Sequence, residues 1–274
     1  KSGSPFLVIK IAIAGVAGRM GRAILKITAQ DKNCRVAGGL EQASSPLIGE
    51  DLGSLTGEAP LNVKVTANIS EALSNADVLI DFTHFSAAEA NLKAVLQKKI
   101  GYVLGTTGLS ETVLGSLKTA AKIIPIVQSP NMSIGVNLLF KLSEMTAKVL
   151  NEDYDIEIVE AHHRMKKDAP SGTALKLLEV MARARKRDLK KDVVYGREGE
   201  TGARPRGQIG VLALRGGDVI GDHTVSFLAD GERVELAHRA TSRDAFAQGA
   251  VRAAKFVVTQ KPGLYNMAQV LGLE

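Results

Sequence analysis

The alternation of apolar and polar positions changes character near residue 134. Phe6 to Ala14 (FLVIKIAIA) is rich in β-branched residues and stops at a glycine, the pattern of a strand buried on both faces of a parallel sheet. The spacing predicts a helix over Arg19–Gln30, with Met20, Ala23, Ile24 and Ile27 on one face and polar Asp31-Lys32-Asn33 to end it. Cys34 to Leu40 (CRVAGGL) reads as a second strand, so the chain opens with a βαβ unit whose crossover is right-handed. Ala76–Phe82, Gly101–Leu104 and Ile123–Val127 read as three more short strands, with helical stretches at Ala87–Gln97 and Glu111–Lys122 between them. That repetition predicts an α/β fold with a Rossmann-type doubly wound parallel sheet.

Beyond the change the period shortens. Asp155 to Ala161 (DIEIVEA) alternates, a helix is predicted over Thr173–Arg185, and three strands follow at Gln208–Leu214, Val219–Leu228 and Arg233–Arg239. Asp230-Gly231 is a hairpin turn between the last two. A second α+β domain on an open sheet is expected, antiparallel in the simplest reading and otherwise mixed. The Ala-rich helix predicted over Asp244–Thr259 returns to the first domain and covers its sheet. The expected division is 6–133 plus 244–274 for the first domain and 134–243 for the second.

Composition narrows the class. With 274 residues, 45% of them hydrophobic and 4% aromatic, the chain can bury one large core or two ordinary ones. The longest uncharged run, Ile123 to Phe140, carries Gln128, Ser129, Pro130, Asn131, Ser133 and Asn137, so strand, loop and helix start are expected there and no membrane partner. The opening Lys1-Ser2-Gly3-Ser4-Pro5, without an initiator Met, reads as added sequence, with no secretory or mitochondrial signal behind it. A single cysteine, Cys34, suits a reducing, cytoplasmic setting. The formal charge of +6 favours anionic partners. Nucleic acid is not expected: Trp is 0 and the 7 Phe are scattered, which leaves no interleaved stacking platform. The basic run Arg183–Arg187 and the pair Lys190-Lys191 read as a solvated helix end, where cations suit the dipole.

Gly15, Gly18 and Gly21 form GxxGxxG between the first strand and its helix, a variant of the dinucleotide fingerprint. Alone the turn can be purely structural. Glu41, twenty residues past Gly21 at the end of the second strand, strengthens it, because a carboxylate there accepts the adenosine ribose hydroxyls. Gln42 beside it is uncharged and supplies no cation for a 2′-phosphate, so NADH is at least as well suited as NADPH. Arg19 either stacks on adenine, holds a phosphate, or is a solvated first-turn residue.

The densest chemistry lies in Glu160 to Ala174 (EAHHRMKKDAPSGTA), where two histidines, two lysines and an arginine gather between a strand end and a helix start. Histidine suits proton donation near neutrality, and lysine neutralises a carboxylate or donates in turn. Pro170 is placed to start the helix, so the Gly172 and Thr173 N–H groups meet an anion. A small dicarboxylate is the natural guest. The alternative is a strand-end pair in which one histidine is buried and hydrogen-bonded and the other solvated. Zinc is not expected, since no Cys or HExxH spacing supplies ligands.

GVAGRMGR (15–22), DFTHFSA (81–87), GTTG (105–108), SPNMSIGVN (129–137), EAHHRMKKDAPSGTA (160–174) and KPGLYNMAQVLGL (261–273) together resemble the 4-hydroxy-tetrahydrodipicolinate reductase (dihydrodipicolinate reductase) family of bacterial lysine biosynthesis, from about residue 7 to the end. The HHxxKxDAPSGTA segment is the specific part. The resemblance implies a Rossmann domain completed by the C-terminal helix, a substrate-binding and tetramerisation domain, and a homotetramer. It implies that Gly15, Val16, Ala17, Gly18, Arg19 and Met20 hold the pyrophosphate of NADH or NADPH and that Glu41, with Gln42 beside it, binds the ribose. Gly105, Thr106 and Thr107, with Ser129, Pro130, Asn131 and Met132, would border the nicotinamide. His162 matches the family's proton donor and Lys166 its second donor or electrostatic catalyst. His163, Gly172 and Thr173 match the substrate-carboxylate binders, with Thr107 a further contact. Two departures stand out: Gln42 replaces the arginine that some members carry, and His84-Phe85 replaces the Arg-Pro of many.

The expected reaction is conjugate reduction of an unsaturated cyclic imine dicarboxylate, with water lost from the 4-hydroxy substrate, His162 protonating the electron-rich carbon and Lys166 stabilising developing charge. Closure about hinges near 133 and 243 is expected during turnover. The loop Tyr195–Gly207 is either mobile near the site or a solvated connection. A semialdehyde-type dehydrogenase is disfavoured, because it needs a nucleophilic cysteine and Cys34 lies at the start of the second strand. A protein that senses NAD(H) without chemistry would not need His162 and Lys166.

Overall fold

The computed structural model describes residues 8–274, so Phe6 and Leu7 of the first predicted strand, and the opening segment before them, lie outside the described residues. The chain divides into two compact units, one of residues up to 134 with 244–274 and one of residues 135–243.

The first unit holds β1 (Ile9–Ala14), α1 (Arg19–Gln30), β2 (Cys34–Leu40), β3 (Val65–Thr66), α2 (Ile69–Ala72), β4 (Val78–Asp81), α3 (Ala88–Lys98), β5 (Gly101–Leu104), α4 (Glu111–Ala120) and β6 (Pro125–Gln128). It is completed after the second unit by α7 (Asp244–Val257), β12 (Gly263–Tyr265) and α8 (Met267–Leu271). Its seven strands run in the order β12-β6-β5-β4-β1-β2-β3, every pair parallel. Alternate side chains of β1 explain its continuous apolar reading. Ile9, Ile11 and Ile13 pack with Ile24 and Leu25 of α1 and with the alanines of α7, while Ala12 and Ala14 pack with Leu92 of α3 and Leu117 of α4. Burying each large aliphatic group contributes about 1.5–3 kcal/mol, so both helical layers are held by the strands between them. Ala247, Ala250, Ala253 and Ala254 give α7 a smooth buried face, the closing of the first sheet expected from its composition. The strand order reverses between β1 and β4, and the crevice beyond the carboxyl ends at such a reversal is where open α/β sheets bind ligands.

The second unit holds α5 (Ile134–Val149), β7 (Asp155–His162), α6 (Gly172–Ala184), β8 (Val193–Tyr195), β9 (Ile209–Arg215), β10 (Gly221–Ala229) and β11 (Glu232–Ala240). The sheet order is β11-β10-β7-β9-β8. Here the purely antiparallel reading needs correction: β10 runs antiparallel to β7 and β11, but β9 is parallel to both β7 and β8. The reason is two successive returns of the chain: the crossover through α6 sets β8 in the direction of β7, and the connection 196–208 carries the chain back again so that β9 runs with both. Ile156 and Ile158 of β7 share a core with Leu177, Leu178 and Met181 of α6 and Leu139 of α5.

Other details depart from the expected pattern. The uncharged run Ile123–Phe140 resolves into a turn, β6, a loop and the start of α5, and among the described residues no helix is long and apolar enough to cross a membrane. The basic run after α6 is only partly a solvated face: Arg185 donates to the Asn151 carbonyl and Arg187 pairs with Glu152. The loop beyond Tyr195 is tethered, with Arg197 donating to both oxygens of Glu157 at 3.2 and 2.9 Å and Arg204 pairing with Glu157 and Asp155.

Candidate active site

In the first unit the candidate residues stand on successive carboxyl ends of the sheet. Gly15 follows β1 with φ +66°, a conformation that favours glycine, and its N–H and that of Val16 donate to the Leu40 carbonyl at 2.9 and 3.2 Å. Gly18 caps α1 without a side-chain bond, which leaves the N–H groups of the first helical turn open to an anion. A Cβ on Gly21 would lie 2.1 Å from the Gly15 carbonyl oxygen, so only glycine lets α1 press against the turn. Val16 is fully buried in the core and Met20 packs against it, so neither side chain is directed to a ligand. Arg19 is exposed. Glu41 is tied to the turn: its carboxylate accepts the Ala17 N–H at 3.0 Å and the Gln42 N–H at 3.0 Å. A tight positive-φ turn, an uncapped helix start and a carboxylate at the end of β2 are the donor and acceptor set that a dinucleotide needs.

Next along the edge is Asp81, the last residue of β4, wholly buried. Its carboxylate accepts Thr83 N at 2.8 Å, Thr83 Oγ1 at 2.6 Å, Asn91 Nδ2 at 2.8 Å and Tyr102 Oη at 2.7 Å. Burial and the adjoining carboxylate hold the Tyr102 phenol well above its ordinary range. This network fixes Thr83, whose carbonyl accepts Thr106 Oγ1 at 2.9 Å and whose Cγ2 lies 3.0 Å from where a Cβ on Gly15 would stand. Gly105 N–H donates to the Asp81 carbonyl, and a Cβ at Gly105 would strike the Phe82 ring at 2.3 Å. Thr107 is exposed beyond it. At the end of β6, Ser129 Oγ donates to the Asn131 carbonyl at 2.8 Å, Pro130 is exposed, and the Met132 side chain is core. His84 stacks on Phe85 with ring centroids 3.9 Å apart and accepts from Ser86.

In the second unit the buried side of β7 continues Ile156, Ile158 with Glu160 and His162. Glu160 is fully buried and accepts Arg215 Nη1 and Nη2, both at 2.8 Å, and Ser171 N at 3.0 Å, and its Oε2 lies 2.5 Å from His162 Nδ1. Burial alone would raise this carboxyl, but the bonds from Arg215, His162 and Ser171 outweigh it and hold the group below the usual carboxylate range. Burial pushes His162 down, the Glu160 bond opposes this, and the nearby charges of Lys166 and Arg215 add to the lowering. His223 packs edge-on to His162 at 5.2 Å, and burial pushes it to about 4. Its Nε2 lies 3.0 Å from Ser171 Oγ.

Lys166 Nζ reaches both oxygens of Asp168 at 2.9 Å, and His163 is half-buried with its N–H on the Val219 carbonyl at 2.7 Å. The helix start differs by one residue from the expectation. Ser171 is the cap of α6, its Oγ accepting Ala174 N at 3.2 Å, and Pro170 precedes it, so Gly172 and Thr173 are the first two helical residues. The second unit thus joins a buried carboxylate–imidazole pair, an ammonium and a helix start, which equips it to bind an anion and move a proton beside it. Sequence reasoning passed over Glu160, Ser171, Arg215, His223 and Asp81. The signal for Glu160 was present: an alternating strand whose buried row changes from isoleucine to Glu and His. Cys34 stands at the start of β2, buried, with its thiol pushed up to about 11 by burial and by Asp31, and offers no nucleophile at the carboxyl edge.

Residues 9–132 match the family profile described as dihydrodipicolinate reductase, N-terminus, and residues 135–271 match its C-terminus counterpart. The chain is 52% identical over 266 residues to a 4-hydroxy-tetrahydrodipicolinate reductase of Thiobacillus denitrificans, covering 97% of this chain and 99% of the relative. It is 49% identical over 265 residues to that of Nitrosomonas europaea, covering 97% and 98%. Among solved structures it is similar to a dipicolinate-bound dihydrodipicolinate reductase from Paenisporosarcina sp. TG-14, with a TM-score of 0.76, 26% identity, and 96% and 98% of the two chains covered. An amine dehydrogenase from Mycobacterium smegmatis, at 13% identity and a TM-score of 0.61, shares the fold.

Proposed function

The chain belongs to the dihydrodipicolinate reductase family, and from that membership we propose that it reduces 4-hydroxy-tetrahydrodipicolinate to tetrahydrodipicolinate with NAD(P)H, a step of diaminopimelate and lysine biosynthesis. The observation that carries this reading in the molecule itself is the folding of one segment, Glu160–Ala174, into a carboxylate-backed histidine, a lysine and the start of α6.

NAD(P)H, when bound, supplies the hydride. The α1 start and the turn Gly15–Met20 hold its pyrophosphate, and Glu41 accepts the ribose hydroxyls. Neither Glu41 nor Gln42 brings a cation to a 2′-phosphate, so NADH serves at least as well as NADPH. Gly105, Thr106, Thr107 and the segment Ser129–Met132 border the nicotinamide. His163, the Gly172 and Thr173 N–H groups and Thr107 hold the two substrate carboxylates, which turns binding into orientation. His162 gives its proton to the carbon made electron-rich by the reduction, and Lys166 stabilises the developing negative charge. Dinucleotide binding belongs to residues 6–133 plus 244–274 and substrate binding to 134–243, so turnover requires the two to bring their ligands together.

The active form is a homotetramer built by the second unit. Exposed Leu138, Leu142, Met145 and Val149 form a stripe along α5, and exposed Leu214 lies on the sheet, both suited to cover by another copy. The single, buried cysteine fits a cytoplasmic enzyme.

A coupled assay tests the reading: the product of a dihydrodipicolinate synthase is offered with each reduced coenzyme while nicotinamide absorbance is followed. Absorbance loss that requires both that product and this protein is the expected outcome. Its absence with both coenzymes refutes the assignment.

A further inference from the structure

We propose that Glu160 is the positioning residue of the proton donor: it holds His162 by Nδ1, leaves Nε2 as the atom that carries the transferable proton, and balances the imidazolium that exists before transfer. This deepens the reading above and rests on it, since a positioning role presupposes that His162 is the donor.

The geometry determines the tautomer. Glu160 is fully buried yet accepts two bonds from the Arg215 guanidinium and one from the Ser171 backbone, all independent of pH near neutrality. A carboxylate so held only accepts. The 2.5 Å contact between its Oε2 and His162 Nδ1 therefore has the proton on Nδ1, and in the neutral ring Nε2 is bare. When the ring is charged, the second proton sits on Nε2. That nitrogen looks toward Gly221, where a Cβ would stand 3.1 Å away, and the missing side chain leaves room beside it.

The surrounding charges make the partner necessary. Lys166 on the loop after β7, Arg215 at the end of β9 and the edge-on His223 ring of β10 all face His162 without favouring its protonated form. Glu160 alone among these favours it. Ser171 links the pair to the helix that receives substrate, for its N–H fixes Glu160 while its Oγ caps α6 and meets His223 Nε2. Donor orientation and the anion-binding helix start thus share one residue.

Glu160→Gln keeps the shape but presents an amide N–H₂ that Nδ1 must accept, which inverts the tautomer. The expected result is a kcat loss of roughly 10²–10⁴-fold, the range seen when a buried carboxylate–histidine pair is disrupted elsewhere. With it goes a shift of the alkaline limb of kcat to lower pH, at unchanged coenzyme affinity. Glu160→Asp, which keeps the charge, restores part of the rate and returns the limb toward its wild-type position. Nitrogen-15 NMR of the unmutated holoenzyme needs no variant and should show His162 as the Nδ1–H tautomer when neutral. An Nε2–H tautomer there overturns the proposal even if both variants fail to fold, and so does a Glu160→Gln enzyme with wild-type kcat and an unmoved limb. A dead His162→Gln enzyme beside a normal Glu160→Gln enzyme sinks the positioning role alone, whereas a normal His162→Gln enzyme sinks the donor assignment beneath it.

Discussion

A Cβ on Gly221 would lie 3.1 Å from Nε2 of His162, a contact tight enough to move the ring. Gly221 opens β10 and is paired with Ala240 of β11, which restrains its backbone on that side. Gly221→Ala should lower kcat by about tenfold or more through displacement of the donor, while thermal midpoint and coenzyme affinity stay near wild type. Steady-state kinetics with a melting curve checks this, and an unchanged kcat would mean that Nε2 is not the working atom.

Gly21→Ala addresses the other unit. Its Cβ would meet the Gly15 carbonyl oxygen at 2.1 Å, so α1 must shift away from the turn. The expected cost is about 1–3 kcal/mol of stability, together with weaker binding of both NADH and NADPH. Denaturant unfolding and fluorescence titration of the coenzyme measure the two effects separately.

Much of this was legible in the sequence, and the reasons are specific. The bounds of α1 and β2 follow from periodic apolar residues ended by polar ones, and they fall at Arg19–Gln30 and Cys34–Leu40. The strands β3 and β12 were not legible, because two or three residues at a sheet edge carry no period. The direction of β9 depends on how the connection 196–208 returns the chain after β8, which alternation alone does not encode. In the site, His162 and Lys166 declare themselves by residue type. Asp81 does not, because its partners Asn91 and Tyr102 are 10 and 21 residues away and meet it only in the folded sheet.

Tyr102→Phe tests that buried network. It removes one of four donors from Asp81 and leaves a buried carboxylate less satisfied. A loss of about 1–3 kcal/mol in unfolding free energy is expected, with His162 chemistry unaffected. An unchanged denaturation midpoint would show that Asp81 does not depend on the phenol.

Stability should also depend on pH through His223. Its ordinary value of 6.5 applies to the unfolded chain, and burial brings the folded value to about 4. Between these the unfolded chain binds the proton and the native one does not, so stability is complete above 6.5 and falls as pH drops toward 4. At pH 5 the loss is roughly 2 kcal/mol, and the lowered His162 acts in the same direction. Urea midpoints at pH 5 and 7.5 should differ in the wild type and differ clearly less in His223→Gln, where the smaller contribution of His162 remains.

Coenzyme choice is expected to follow the residue after Glu41. Gln42→Arg places a cation where a 2′-phosphate would lie and should raise kcat/KM for NADPH relative to NADH by about tenfold. Parallel assays with the two coenzymes decide it, and an unchanged ratio would locate the selecting group elsewhere.

The most direct test of the whole account is the turnover of His162→Gln with saturating coenzyme and substrate. A fall in kcat of roughly 10²–10⁴-fold, with NADH still bound as tightly as by the wild type, is the result that a histidine proton donor predicts. Turnover within a few-fold of the wild type would contradict it.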